Sequence, residues 1–145
     1  GNNMANSLIV GGLKTGMQVS VACPEGYRPD SRVLDFANNY AGFSMFTEPM
    51  EAVSGADVIF TDVWASMGQE GEAEERKKIF GGKYQVNKEL LAVANSGCMV
   101  QHCLPAHRGE EITADVFESH ADEIFDEAEN RLHAQKAVMV TLMER

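Results

Sequence analysis

Four short stretches of this 145-residue chain carry side chains able to do chemistry. In Met99-Val100-Gln101-His102-Cys103-Leu104-Pro105 an apolar run leads into a thiol and then a proline. Pro105 has no N–H for a sheet ladder, so the run reads as a buried strand that ends near Cys103. Open α/β sheets place ligands at such carboxyl ends. Cys103 admits three chemistries. It packs as a small hydrophobe. It attacks as a nucleophile, which needs a base such as His102 or His107. Or it ligates a metal with Cys98 and His107, at no recognised ligand spacing. Adjacent strand residues face opposite ways, which misplaces His102 as a base for Cys103.

Asp62-Val63-Trp64-Ala65-Ser66-Met67-Gly68 follows a second apolar run. A carboxylate at a strand end can hold an ammonium group, and the hydroxyl and free N–H groups of the next turn can hold a carboxylate. Together they suit the head group of an α-amino acid. The plainer reading is a strand-to-helix turn with Ser66 as N-cap. In Gly1-Asn2-Asn3 an amide either caps a helix or reaches an anion at the helix N-terminus. In Glu127-Ala128-Glu129-Asn130-Arg131, Arg131 reads as an arginine that offsets local acidity.

The elements that must position these groups alternate. Helices are predicted over Asn3–Thr15, from Asp30 or Ser31 through Tyr40, over Pro49–Val53, Gln69–Phe80, Asn87–Ala94, Ala114–Ser119 and about Glu129–Met143. Strands are predicted over Val19–Cys23, Phe43–Phe46, Asp57–Trp64, the run ending at Cys103, and Glu123–Asp126. This is an α/β pattern. It implies a doubly wound, Rossmann-like parallel sheet of five strands in the order 2-1-3-4-5, helices on both faces and a crevice between the first and third strands. The Gln69–Phe80 helix, with Glu72–Arg76 and Glu74–Lys78 at i,i+4, is a solvated face or, flanked by Gly68, Gly71, Gly81 and Gly82, a lid.

No Pro/Gly/Ser-rich linker divides the chain, so one domain is expected over residues 1–145. The abrupt start at a helix N-terminus suits a piece of something longer. With 22 acidic and 12 basic residues the net charge is −10, which argues against nucleic acid and anionic membrane surfaces as partners. Three cysteines do not make a disulfide framework, and a reducing cytoplasm is the simplest compartment.

The Asn-Asn start, Cys23-Pro24-Glu25-Gly26-Tyr27, Asp-x-x-x-Ser-Met-Gly from Asp62, Tyr84-Gln85-Val86, His-Cys-Leu-Pro and Glu-Asn-Arg together resemble the ornithine carbamoyltransferases, over nearly the whole chain. The resemblance implies transfer of a carbamoyl group from carbamoyl phosphate to ornithine, giving citrulline and phosphate, with no cofactor. It places Asp62 and Ser66 on the α-ammonium of ornithine, and the Met67 backbone and Asn3 on its carboxylate. It puts Cys103 and Leu104 around the δ-amine without a covalent intermediate, and Arg131 on the carbamoyl oxygen. It also implies a homotrimer or larger assembly built largely through an N-terminal carbamoyl-phosphate domain. The Ser-Thr-Arg-Thr-Arg and His-Pro-x-Gln motifs of that domain do not occur in these 145 residues. The expectation is therefore the ornithine-binding half of such an enzyme. The alternatives are a carbamoyltransferase for another amine such as putrescine, a non-catalytic amino-acid-binding module, and a cysteine hydrolase.

Overall fold

The computed structural model describes residues 1–65 and 70–144. Helix α1 (Asn3–Lys14) starts where the Asn2 side chain accepts the Ala5 N–H, and ends before Gly16, whose φ of +84° suits a residue without a Cβ. Strand β1 (Val19–Ala22) lies parallel to β2 (Phe43–Phe46), with Val19 opposite Phe43. Between them, α2 (Ser31–Ala37) is capped by Asp30, which accepts the Arg32 N–H. Ile9, Leu13 and Ala37 close a small core against this pair, with Val19, Val21 and Phe43 packed around it.

Helix α3 (Pro49–Val53) has its proline in the first turn, where the missing N–H costs no hydrogen bond. It leads to β3 (Val58–Thr61), which pairs in parallel with β4 (Met99–His102), Thr61 standing opposite His102. A helical turn at Glu70–Glu72 precedes α4 (Ala73–Phe80), and the short α5 (Lys88–Leu91) is capped by Asn87. After β4 come α6 (Ala114–Ser119) and α7 (Ala121–Met143). Ile59, Val100, Leu90, Ile112, Phe117 and Ile124 form the larger core between the β3–β4 pair and the helices. Ile59, Val100 and His102 are buried while Phe60 and Met99 are exposed, so the period of two in these strands separates a packed from an open face.

The α/β class with parallel strands agrees with the sequence, but the expected fifth strand does not form. Glu123–Asp126 lies inside α7, a single helix of 23 residues. Ile124 and Phe125 are its only apolar pair there, and no glycine or proline separates them from the Ala- and Glu-rich run that follows. The edge of β4 that a fifth strand would occupy is instead met by side chains: the Glu123 carboxylate accepts the Val100 N–H at 2.7 Å. The described ladders are two pairs, β1–β2 and β3–β4. No helix among the described residues is long and apolar enough to cross a membrane.

Candidate active site

The carboxyl ends of β3 and β4 lie side by side, and this places Asp62 against Cys103. Asp62 is half-buried and holds three donors. Its Oδ1 accepts the Val63 N–H at 2.8 Å and the Cys103 thiol at 3.2 Å, and its Oδ2 accepts the Asn2 side-chain amide at 2.6 Å. Burial, the hydrogen bond to Asp62 and the negative charges of Asp62 and Glu127 push the Cys103 thiol up to about 12, against a smaller opposing pull from Arg131. At neutral pH the group is a thiol that donates, not a thiolate that attacks.

His102 points into the core, where it is fully buried together with Glu111. Its Nε2 meets Glu111 Oε1 at 3.0 Å and its Nδ1 accepts the Leu104 N–H at 3.0 Å, so the neutral Nε2–H tautomer satisfies both ends. Burial works against the ionised Glu111, but the hydrogen bonds from His102 and the His107 N–H outweigh it and hold the carboxyl below its usual range. The pair fixes the loop after β4. Leu104 sits at φ +55° before a cis peptide bond to Pro105, and its N–H is tied back to the His102 ring.

Gln85 donates to the carbonyls of Gly109 and Glu110, and the Val86 N–H donates to the Glu111 carbonyl at 2.8 Å. The Tyr84-Gln85-Val86 stretch therefore clamps the far end of the same loop. Over the site, α4 is docked by aromatic contacts. Phe80 stacks on Trp64 at 6.0 Å and meets Tyr27 edge-on at 4.9 Å. Arg76 donates to the Trp64 carbonyl at 3.0 Å, pairs with Glu72 at 2.8 Å and lies over the Tyr27 ring. The expected Glu72–Arg76 pair is present. Glu74, however, pairs with Lys77 at 3.7 Å rather than with Lys78. A cavity of about 240 Å³ between α4 and the loop after β4 is lined by Trp64, Ala65, Ala73, Lys77, His107 and Glu110.

The structure thus brings Asp62, Cys103 and Leu104 together. Arg131 lies on α7, exposed, and acts on Cys103 and Glu127 through its charge. Asn3 is exposed in the first turn of α1, while the neighbouring Asn2 both caps the helix and reaches Asp62. Ser66 and Met67, with Gly68 and Gln69, lie outside the described residues. Cys98, whose spacing to Cys103 and His107 matched no recognised metal site, points its thiol at the Met99 carbonyl. Asp62, His102 and Cys103 do offer ligand atoms within 4.8 Å of one another, as do His107, Glu110 and Glu111. In the first set both His102 nitrogens are already hydrogen-bonded and the thiol keeps its proton, so the arrangement is a hydrogen-bond network. Sequence reasoning included Asn2, Gln85 and Glu127 in its motifs but gave none of them a role in the site, and it passed over Glu111. Asn2 carried a signal as the residue before the first helical turn; Gln85 stood in a motif of the family and Glu127 just ahead of another.

Residues 1–142 match the aspartate/ornithine carbamoyltransferase Asp/Orn-binding domain. The ornithine carbamoyltransferase of Thermococcus kodakarensis is 56% identical over 99% of this chain and 47% of that protein's length. The anabolic ornithine carbamoyltransferase of Campylobacter jejuni superimposes with a TM-score of 0.93 at 38% identity, covering 99% of this chain and 48% of its own. The Pyrococcus furiosus ornithine carbamoyltransferase structure gives 0.86 at 56% identity, over 96% of this chain and 46% of that one. The chain spans about half the length of the relatives it matches. Matched by the family model over residues 1–142 and 56% identical to one of the family's members over 99% of its own length, this chain belongs to the aspartate/ornithine carbamoyltransferase family, as an Asp/Orn-binding domain.

Proposed function

We propose that this chain supplies the ornithine-binding half of an ornithine carbamoyltransferase site. The reaction moves the carbamoyl group of carbamoyl phosphate to the δ-amine of ornithine and yields citrulline and phosphate. The observation that carries the reading is the Cys103 thiol, pushed up to about 12 and donating to Asp62 at the shared end of β3 and β4. A protonated thiol beside a carboxylate suits a site that orients an amine and forms no bond to it.

In this reading Asp62 and Ser66 hold the α-ammonium, and the Met67 backbone with Asn3 holds the α-carboxylate. Asn2 keeps Asp62 aimed, since its amide occupies Oδ2. Cys103 and the Leu104 carbonyl orient the δ-amine and the carbamoyl NH₂, on a loop set by His102 and Glu111. The neutral amine attacks the carbonyl carbon, a C–N bond forms, the C–O bond to phosphate breaks, and the nitrogen gives up a proton to the departing phosphate. Arg131 stabilises the oxygen that becomes negative during attack. It is exposed on α7, where a carbamoyl phosphate held by another domain can meet it.

Groups for the phosphate, and the contacts of a homotrimer, belong to that other domain. The two strand pairs are read as parts of one sheet in the order 2-1-3-4, with the crevice between β1 and β3. The contact between Asn2, ahead of β1, and Asp62, after β3, supports that placement. The test is calorimetric titration of L-ornithine into the chain and into Asp62→Asn. Removing one partner of a desolvated charge pair costs about 2–5 kcal/mol, or roughly a 30- to 4,000-fold loss of affinity. Equal affinity in a variant of unchanged melting temperature overturns the reading.

A further inference from the structure

Along α7, Glu123, Glu127 and Arg131 stand four residues apart and so form one row beside β4. Glu123 is spent on the Val100 N–H. One turn on, the Glu127 carboxyl feels the His102 backbone N–H and the charges of Arg131 and Asp62, and its own charge acts on Cys103. Glu127 is half-buried. Its Oε2 is closed off from solvent and has no hydrogen-bond partner among the described residues. Buried carboxylate oxygens ordinarily have partners, so an unfilled one at the edge of a site asks for a donor.

Of the two carboxylates that act on Cys103, Glu127 has a buried oxygen with no donor among the described residues, while Asp62 Oδ2, with one donor, keeps a lone pair for the α-ammonium. Both oxygens of Asp62 already accept hydrogen bonds, from Val63, Cys103 and Asn2. Both ring nitrogens of His102 are taken by Glu111 and Leu104. The Cys103 thiol keeps its proton and gives it to Asp62.

We propose that Glu127 receives the side-chain ammonium of the diamino-acid substrate and takes one proton from it, leaving a neutral amine beside Cys103. The inference rests on the reading of the site as an ornithine site. In the step, one N–H bond of the ammonium breaks and its electron pair stays on nitrogen. An O–H bond forms on the Glu127 carboxyl, which returns the proton to solvent after product leaves. An aliphatic ammonium titrates near 10.4 and an ordinary glutamate near 4.3, a gap that opposes the transfer. Burial is the main cause raising the Glu127 carboxyl, and the Asp62 charge adds to it, while the His102 N–H and Arg131 pull the other way. The net direction narrows the gap.

The test compares L-ornithine with L-norvaline, the same amino acid without the terminal amine, by calorimetric titration into the 145-residue chain between pH 6 and 9. Wild type should prefer ornithine by about tenfold or more, the scale of a hydrogen bond to a charged group. Glu127→Gln should abolish that preference and leave norvaline affinity unchanged; Glu127→Asp should restore part of it, and carries the comparison should Glu127→Gln fail to fold. A preference that survives in Glu127→Gln overturns the proposal, as does an equal loss of both ligands, which marks a structural role. Equal binding of the two amino acids by wild type also overturns it, and binding of neither overturns this proposal and the ornithine reading together. Norvaline affinity unchanged by Asp62→Asn removes the α-ammonium anchor alone and leaves the Glu127 result standing.

Discussion

If Asp62 and burial hold the Cys103 thiol at about 12, alkylation by iodoacetamide reports it directly. At pH 8 a free cysteine of pKa about 8.5 is roughly one-quarter thiolate, and a group titrating near 12 is about one part in ten thousand. That is a deficit of roughly 2,000-fold in the reactive form. A more basic thiolate is intrinsically the better nucleophile. With a Brønsted slope of about 0.45 the shift of roughly 3.5 units returns about 40-fold. Cys103 should therefore alkylate roughly 60-fold more slowly than a free thiol, before any loss to restricted access. Access and basicity separate in the pH profile. Shielding lowers the rate at every pH, whereas a raised pKa leaves the rate still climbing tenfold per unit beyond pH 9.5. Peptide-resolved mass spectrometry of a labelling time course distinguishes Cys103 from the buried Cys23 and Cys98. Asp62→Asn removes the carboxylate charge and should shift the whole profile to lower pH. A plateau near pH 9 in wild type, or a profile unmoved by Asp62→Asn, would refute the argument that this thiol is kept protonated by its neighbour.

Glu111→Gln replaces the charge-assisted hydrogen bonds from His102 and the His107 N–H by neutral ones and should cost about 1–3 kcal/mol in urea denaturation at pH 7. Because the folded carboxyl sits below its usual range, its contribution is complete above the unfolded value of about 4.3 and is lost as pH falls through the lower folded value; the gap between wild type and variant should narrow in melts at pH 3.5. Arg76→Ala frees the Trp64 carbonyl and Glu72, worth about 1–3 kcal/mol locally, so amide exchange in α4 should accelerate about 5- to 150-fold while β4 stays protected. The second half of α7 exposes Leu132, Val138, Met139, Leu142 and Met143, an apolar surface of the kind that drives association. Sedimentation velocity should show concentration-dependent self-association that Met139→Glu suppresses.

What the sequence made legible follows from the range over which each feature is decided. Capping by Asp30, the proline-started α3 and the end of β4 before Pro105 depend on a few adjacent residues, and all were readable, while Asn87, read as the first residue of a helix, proves to be the cap of α5. Cys103 was placed at a strand end by the same local logic. Its chemistry was not, because that depends on Asp62, 41 residues away, and Asp62 is held in turn by Asn2 across a separation of 60. No periodicity links such positions. His102 shows the complementary case. The alternation of strand residues argued it away from Cys103, yet its ring stays within 4.8 Å of the thiol; what withholds it is that Glu111 and the Leu104 N–H take both nitrogens, which alternation did not hint at. The failed fifth strand is instructive for a third reason. Glu123–Asp126 holds two apolar residues between acidic ones, a pattern that a short strand and a helix turn satisfy equally well. The uninterrupted helix-forming run beyond it favours the helix, and in that form two carboxylates one turn apart face the edge of β4: Glu123 takes the Val100 N–H, and Glu127 lies beside His102 with one oxygen unfilled. A paired strand would have closed that edge with backbone; the helix closes it with side chains, and so brings a half-buried carboxyl within electrostatic reach of the thiol.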